Sequence, residues 1–178
     1  IKVVVNGSFG EWIAPKDLIL YLIGKLTAEG ANFRVIEFHG SAISNMPVSG
    51  RLTISNMSME AGATAGIVPA DDETELYLRQ EAGVTDPIVR VLPDADAVYE
   101  QIIEIDAATL APQIAKPHMV DNVSPIGEVE GVKLNQIVIG SCTNGRLDDL
   151  EIAASILRGK KVARGTRMLI FPASWRIY

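Results

Sequence analysis

The sequence predicts an α/β protein built mostly on parallel sheets and divided into two subdomains, the second of them incomplete. Two stretches carry that reading. Near the start, the β-branched run Lys2–Val5, a helical pattern opened by Pro15 and a second apolar run at Phe33–Phe38 follow one another as strand, helix and strand. A βαβ unit of this kind implies a right-handed crossover between parallel strands. Near the end, Ile137–Ile139 lead into a turn of Gly, Ser, Thr, Asn and Gly, after which Leu147, Leu150, Ala154 and Leu157 fall at helical spacing. With 178 residues and 48% hydrophobic content, the chain has ample material for a core.

In order, the first strand stops at Asn6-Gly7, a turn composition. Ile19, Leu22, Ile23 and Leu26 share one face of the following helix, and Gly30 stands where a C-terminal cap belongs. The second strand ends at His39-Gly40, the edge where open α/β sheets place ligands. His39 is a weak candidate there, since a single His after a strand is usually a satisfied turn residue. A helix is expected over Thr53–Ala63, a short amphipathic one over Thr74–Gly83, and a helix-to-strand passage over Asp94–Asp106. From Ala107 to Val132 the composition shifts to prolines and small or polar residues without periodicity, a linker signature. His118, between Pro117 and Met119, reads as part of that connector. The expected division is therefore a domain over 1–115, a linker over 116–132 and the start of a second domain over 133–178. A last strand is expected at Met168–Phe171.

A net charge of -6 argues against nucleic acid or an anionic membrane surface as partner, because both reward clusters of Lys and Arg. No apolar run approaches the roughly twenty residues of a spanning helix. One cysteine precludes an intramolecular disulfide and suits a reducing, cytoplasmic setting. The chain does not begin with Met and reads as part of something longer.

The single cysteine, Cys142, lies at the tip of the Gly140–Gly145 turn, beside an expected helix N-terminus whose dipole and unpaired N–H groups favour a thiolate. Such a thiolate can attack or bind metal, although a lone Cys is also common as a small buried hydrophobe. A third reading is a non-catalytic α/β module binding an anion at this loop. It lacks a lysine at Walker spacing and a Gly-x-Gly-x-x-Gly. The second informative stretch is Gly50–Asp72, containing Ser55-Asn56-Met57-Ser58-Met59-Glu60-Ala61-Gly62-Ala63-Thr64-Ala65-Gly66. On a continuous helix Asn56 and Glu60, four apart, project together. Ile54, Met57, Met59 and Ala61 around them leave no clean polar face, so the amide and carboxylate are expected in a partly enclosed site. A carboxylate placed there needs a partner and marks function more often than structure.

Ile139-Gly140-Ser141-Cys142-Thr143-Asn144-Gly145, followed by an acidic, Ala-rich helix, resembles the first cluster-cysteine signature of the aconitase superfamily. The independent Asn56–Glu60 motif resembles the same superfamily, in the branch of 3-isopropylmalate dehydratase and homoaconitase large subunits rather than mitochondrial-type aconitases. Ala14–Leu18 and Val35–Gly40 fit as well, so the resemblance covers essentially the whole chain. It implies aconitase-like α/β/α layers and a hydro-lyase that isomerises a hydroxy di- or tricarboxylic acid by dehydration and rehydration, as in leucine biosynthesis, with homoaconitase or aconitase chemistry as alternatives. Cys142 would be one of three ligands to a 4Fe-4S cluster, with Ser141, Thr143 and Asn144 around it. Asn56 would stand near the cluster and Glu60 in the network that handles protons and water. The resemblance also implies a Cys-x-x-Cys pair beyond Tyr178, active-site His and Asp residues before Ile1, and a separate small subunit carrying the swivelling domain and the residues that choose among substrates. The fragment alone is then expected to be inactive.

Overall fold

A computed structural model describes residues 1–178, which separate into two compact units, Ile1–Glu128 and Val129–Tyr178. The first is organised by a four-stranded parallel sheet in the order β3-β2-β1-β4, formed by β1 (Lys2–Asn6), β2 (Val35–His39), β3 (Ala65–Ile67) and β4 (Ile102–Asp106). Helix α1 (Pro15–Leu26) connects β1 to β2. Helices α2 (Ser41–Ser44) and α3 (Val48–Met57) connect β2 to β3, and α4 (Asp72–Gln80) follows β3. The register pairs Val3 with Phe38 on one side and with Ile103 on the other.

Strand burial alternates, with Val3, Val5, Ile36, Phe38, Ile103 and Ile105 turned into the core and Ile102, Glu104 and Asp106 exposed. Against the buried side pack Leu18, Ile19, Leu22 and Ile23 of α1 and Ile54 of α3, all without exposed surface. Pro at the first helical position of α1 matches its fixed φ and missing N–H. Asp17 accepts from the Ala14 N–H at 2.8 Å, satisfying an orphan donor of the first turn. The other oxygen of Asp17 accepts from the Gln113 N–H at 2.7 Å and fastens β5 (Gln113–Ala115) to the helix start.

Several expectations meet a different local structure. The first helix closes at Thr27, whose N–H donates to the Ile23 carbonyl at 2.7 Å, a turn before Gly30. Phe33, with φ 62° and 98% exposed, belongs to the turn before β2 rather than to the strand. The α-helix expected over Thr53–Ala63 begins earlier, at Val48. It ends at Met57 and tightens into a 3-10 turn over Ser58–Ala61, closed by Gly62 at φ +84°. The passage expected as helix-to-strand over Asp94–Asp106 has no helix, and residues 84–101 run as irregular chain into β4, held at its end by Arg34, which donates to both Glu100 oxygens at 2.9 and 2.6 Å. Within the stretch expected as a linker, β6 (Val123–Pro125) pairs antiparallel with β5 and packs on α1, and the Ala28 N–H donates to Asp121 at 2.9 Å.

The second unit is smaller. Strand β7 (Gln136–Gly140) pairs in parallel with β8 (Arg167–Phe171), from Gln136 opposite Arg167 to Gly140 opposite Phe171. Between them lie the one-turn helix α5 (Ser141–Asn144) and helix α6 (Leu147–Leu157). None of the residues of α6 is buried.

Candidate functional site

Cys142 is exposed on α5, immediately after the carboxyl end of β7. The strand runs into that turn through Gly140 at φ +118°, and a Cβ at this glycine would fall onto the Phe171 carbonyl of β8. Only glycine allows both the backbone angle and the close approach. The loop therefore stands against the end of its own sheet, with Ala173 N–H donating to the Gly145 carbonyl at 2.8 Å. Ser141 and Thr143 hydroxyls lie 3.5 Å apart on the same turn. Ser141 is exposed, whereas Thr143 and Asn144 are half-buried.

Asp149 organises this turn. It accepts from Asn144 Nδ2 at 2.9 Å through one oxygen and from the Arg146 N–H at 3.2 Å through the other. The first bond orients the Asn144 amide, and the second caps α6 at its third residue. Asn144 Oδ1 is left buried without a partner, as is Arg146 Nε. Asp149 escaped the sequence reading, though a carboxylate three residues into an expected helix is a recognisable capping signal.

In the first unit, Asn56 is exposed on the last turn of α3, while Glu60 is half-buried in the 3-10 turn that follows. A 3-10 turn winds more tightly than an α-turn, so the two side chains are not stacked as the i, i+4 spacing on a continuous helix implied. Glu60 Oε2 is buried and has no hydrogen-bond partner. A buried carboxylate oxygen without a donor is unfavourable by about 1–3 kcal/mol, which makes Glu60 the unsatisfied acid of this unit. Of the surrounding apolar residues, Ile54, Met57 and Ala61 are buried and Met59 is 55% exposed.

One turn before Asn56, Arg51 is only 4% exposed. Its guanidinium donates to the carbonyls of Met46 and Ser44 at 2.8 and 2.9 Å, to Asp71 Oδ1 at 2.6 Å and to Thr74 Oγ1 at 3.1 Å. The hydrogen bond from Arg51 is the chief cause that holds the Asp71 carboxyl down at about 2. Asp71 also caps α4 by accepting from the Thr74 N–H at 3.1 Å. No sequence signal marks Arg51 as buried, because its acceptors come from two separate segments, 44–46 and 71–74.

His39 lies at the carboxyl edge of β2, with Nε2 2.7 Å from Glu37 Oε1. The Tyr99 hydroxyl donates to Glu37 at 3.2 and 3.3 Å, and its pKa is raised by burial and by the adjacent Glu37 charge. His39 is thus a partnered residue, away from both motifs in its own contacts. His118 lies in the turn before β6 and is exposed.

The family model described as "Aconitase family (aconitate hydratase)" matches residues 1–130 and 127–178. A 3-isopropylmalate dehydratase large subunit 2 from Archaeoglobus fulgidus is 49% identical over 177 residues, 99% of this chain and 42% of that protein. A probable methanogen homoaconitase large subunit from Methanosarcina mazei is 49% identical over 173 residues, 97% of the chain and 43% of that protein. A 3-isopropylmalate dehydratase large subunit 1 from Thermotoga maritima is 47% identical over 180 residues, 100% of the chain and 43% of that protein. The chain spans about two fifths of the length of the curated relatives it matches. With both motifs inside the matched ranges and identity near one half from end to end, the chain belongs to the aconitase family.

Proposed function

We propose that this chain is part of the large subunit of a hydro-lyase that dehydrates and rehydrates a hydroxy di- or tricarboxylic acid, with 3-isopropylmalate as the first substrate to test. The observation that carries the reading is Cys142, an exposed thiol on a turn pinned to the carboxyl end of a parallel strand pair. The names of the relatives favour isopropylmalate over homocitrate as the substrate class and imply a separate small subunit. The reaction belongs in the cytoplasm, in leucine biosynthesis, where thiols stay reduced.

The donor set bears on the cofactor. No three His, Cys, Asp or Glu side chains of the chain converge as a metal site, and the single cysteine is exposed at the Gly140–Gly145 turn. That fits one corner of a 4Fe-4S cluster whose other ligands come from the rest of the large subunit. When bound, the cluster supplies a Lewis-acidic iron for the substrate hydroxyl. Cys142 would hold its corner, and Ser141, Thr143 and Asn144 would offer hydroxyls and an amide beside it. Asp149 keeps the Asn144 amide in one orientation. Glu60 holds or accepts a proton on its carboxylate, and Asn56, exposed one turn earlier, offers an amide to water or substrate. We assign the break between the parts bearing Glu60 and Cys142 to the 116–132 stretch.

Cys142→Ser in the full-length enzyme tests the reading. Cluster absorption, bound iron and turnover should be lost together, because a hydroxyl is a poor iron ligand. Full iron content with normal turnover of the variant would refute the ligand role of Cys142, and absence of turnover by the wild-type enzyme on isopropylmalate, homocitrate and citrate alike would refute the hydro-lyase reading.

A further inference from the structure

The second half of the Asn56–Glu60 motif, Ala61 to Gly66, packs against the 3-10 turn that carries Glu60. Glu60 lies between two residues with no exposed surface, Ser58 and Ala61. The Ser58 hydroxyl donates to the Ile54 carbonyl at 2.9 Å, and the Ser58 carbonyl accepts from the Ala63 N–H at 3.3 Å. The Ala61 carbonyl accepts from the Ala31 N–H at 2.9 Å, tying the turn to the α1–β2 connection. The chain then reverses, and β3 passes directly under the turn at Gly66. A Cβ there would strike Ser58 Oγ inside van der Waals contact and lie 2.8 Å from the Ser55 carbonyl oxygen. Strand β3 has little room to yield, since Gly66 is paired opposite Ile36 and the Thr64 N–H donates to the Arg34 carbonyl at 2.7 Å.

We propose that Ser58 and Gly66 are positioning residues for Glu60, clamping its 3-10 turn between α3 and β3 so that the carboxylate is aimed by backbone rather than by side-chain hydrogen bonds. The inference rests on the reading of Glu60 as the proton-handling acid. Its buried Oε2 has no donor, so no hydrogen bond to that oxygen would hold it in place if the turn moved. A methyl at position 66 presses on both the Ser58 hydroxyl and the Ser55 backbone at the end of α3, and the displacement this forces is passed to the turn that carries Glu60.

The test is a double-mutant cycle in the full-length enzyme assembled with its small subunit, comparing Gly66→Ala, Glu60→Gln and the double variant. Gly66→Ala should lower kcat by roughly tenfold to a hundredfold, the scale of an ångström-sized misplacement, with KM and bound iron unchanged. In the Glu60→Gln background the same methyl should change kcat by less than about twofold, because the group it misplaces is already gone. Equal losses in both backgrounds, or normal turnover for Gly66→Ala beside a slow Glu60→Gln, would overturn the clamp and leave the role of Glu60 standing. Near-normal turnover for Glu60→Gln would overturn that role and the inference with it. Should Gly66→Ala fail to fold, Ser58→Ala removes the hydroxyl from the other side of the same contact, and the same cycle decides on a smaller, few-fold loss.

Discussion

Replacing Glu60 by Gln keeps the volume of the side chain and removes its charge and proton affinity. In the full-length enzyme, turnover should fall by about a hundredfold or more, the usual scale for a proton-handling group, while bound iron stays constant. Rapid-quench or steady-state rates beside iron analysis check this, and near-wild-type turnover would return Glu60 to an ordinary helix-end residue. Cys142, Asn56 and Glu60 were readable as candidates because each sits in a short motif whose residue types imply chemistry. Asp149 and Ser58 were not, for different reasons. Asp149 acts through the Asn144 amide and the Arg146 N–H, whereas the importance of Ser58 arises from Gly66, a neighbour brought in by β3.

Among the elements, α4 depends on a polar attachment. It has no buried residue and an acidic first turn, and its N-cap Asp71 is bonded to the buried Arg51. The folded pKa of Asp71, about 2, lies below the usual 3.8. A lowered carboxyl pKa contributes stability fully present above the unfolded value and lost as pH falls through the folded one. Because the carboxylate is 39% exposed, the contribution is discounted to about 1 kcal/mol. Asp71→Asn should therefore destabilise the first unit by about that amount at pH 7, and the difference from wild type should shrink between pH 4 and 2. Denaturant titrations at pH 7 and pH 2.5 measure both values, and an equal deficit at the two pH values would show that the ion pair is not the cause. Hydrogen exchange in α4 should quicken in the same variant. The 3-10 turn after α3 is another element-scale matter. The residue pattern there is compatible with a continuous helix to Ala63, and the packing of β3 against its end accompanies the tighter winding.

For the chain as a whole, coordination number sets the expectation. Residues 1–178 offer one thiolate, whereas 4Fe-4S clusters are held by several protein ligands. Anaerobic reconstitution of this chain alone should yield no stoichiometric cluster and no hydro-lyase turnover. A full complement of iron and sulfide on a monomer would show that the ligand argument is wrong. The first unit should fold regardless, since its core of Val3, Val5, Leu18, Ile19, Leu22, Ile23, Ile36, Phe38 and Ile54 contains no metal ligand.

The βαβ start and the strand-turn-helix around Cys142 were legible because hydrophobic period and turn chemistry are local, decided within a dozen residues. Folding alone decided the order β3-β2-β1-β4, the docking of the β5–β6 hairpin on α1 and the burial of Arg51. In each case the partner is remote. Asp17 reaches a backbone N–H 96 residues away, and Arg51 reaches a carboxylate 20 residues on. A residue's own type says that it can donate or accept, but only the closed chain brings the complementary group within hydrogen-bond distance and excludes the water that would otherwise satisfy it.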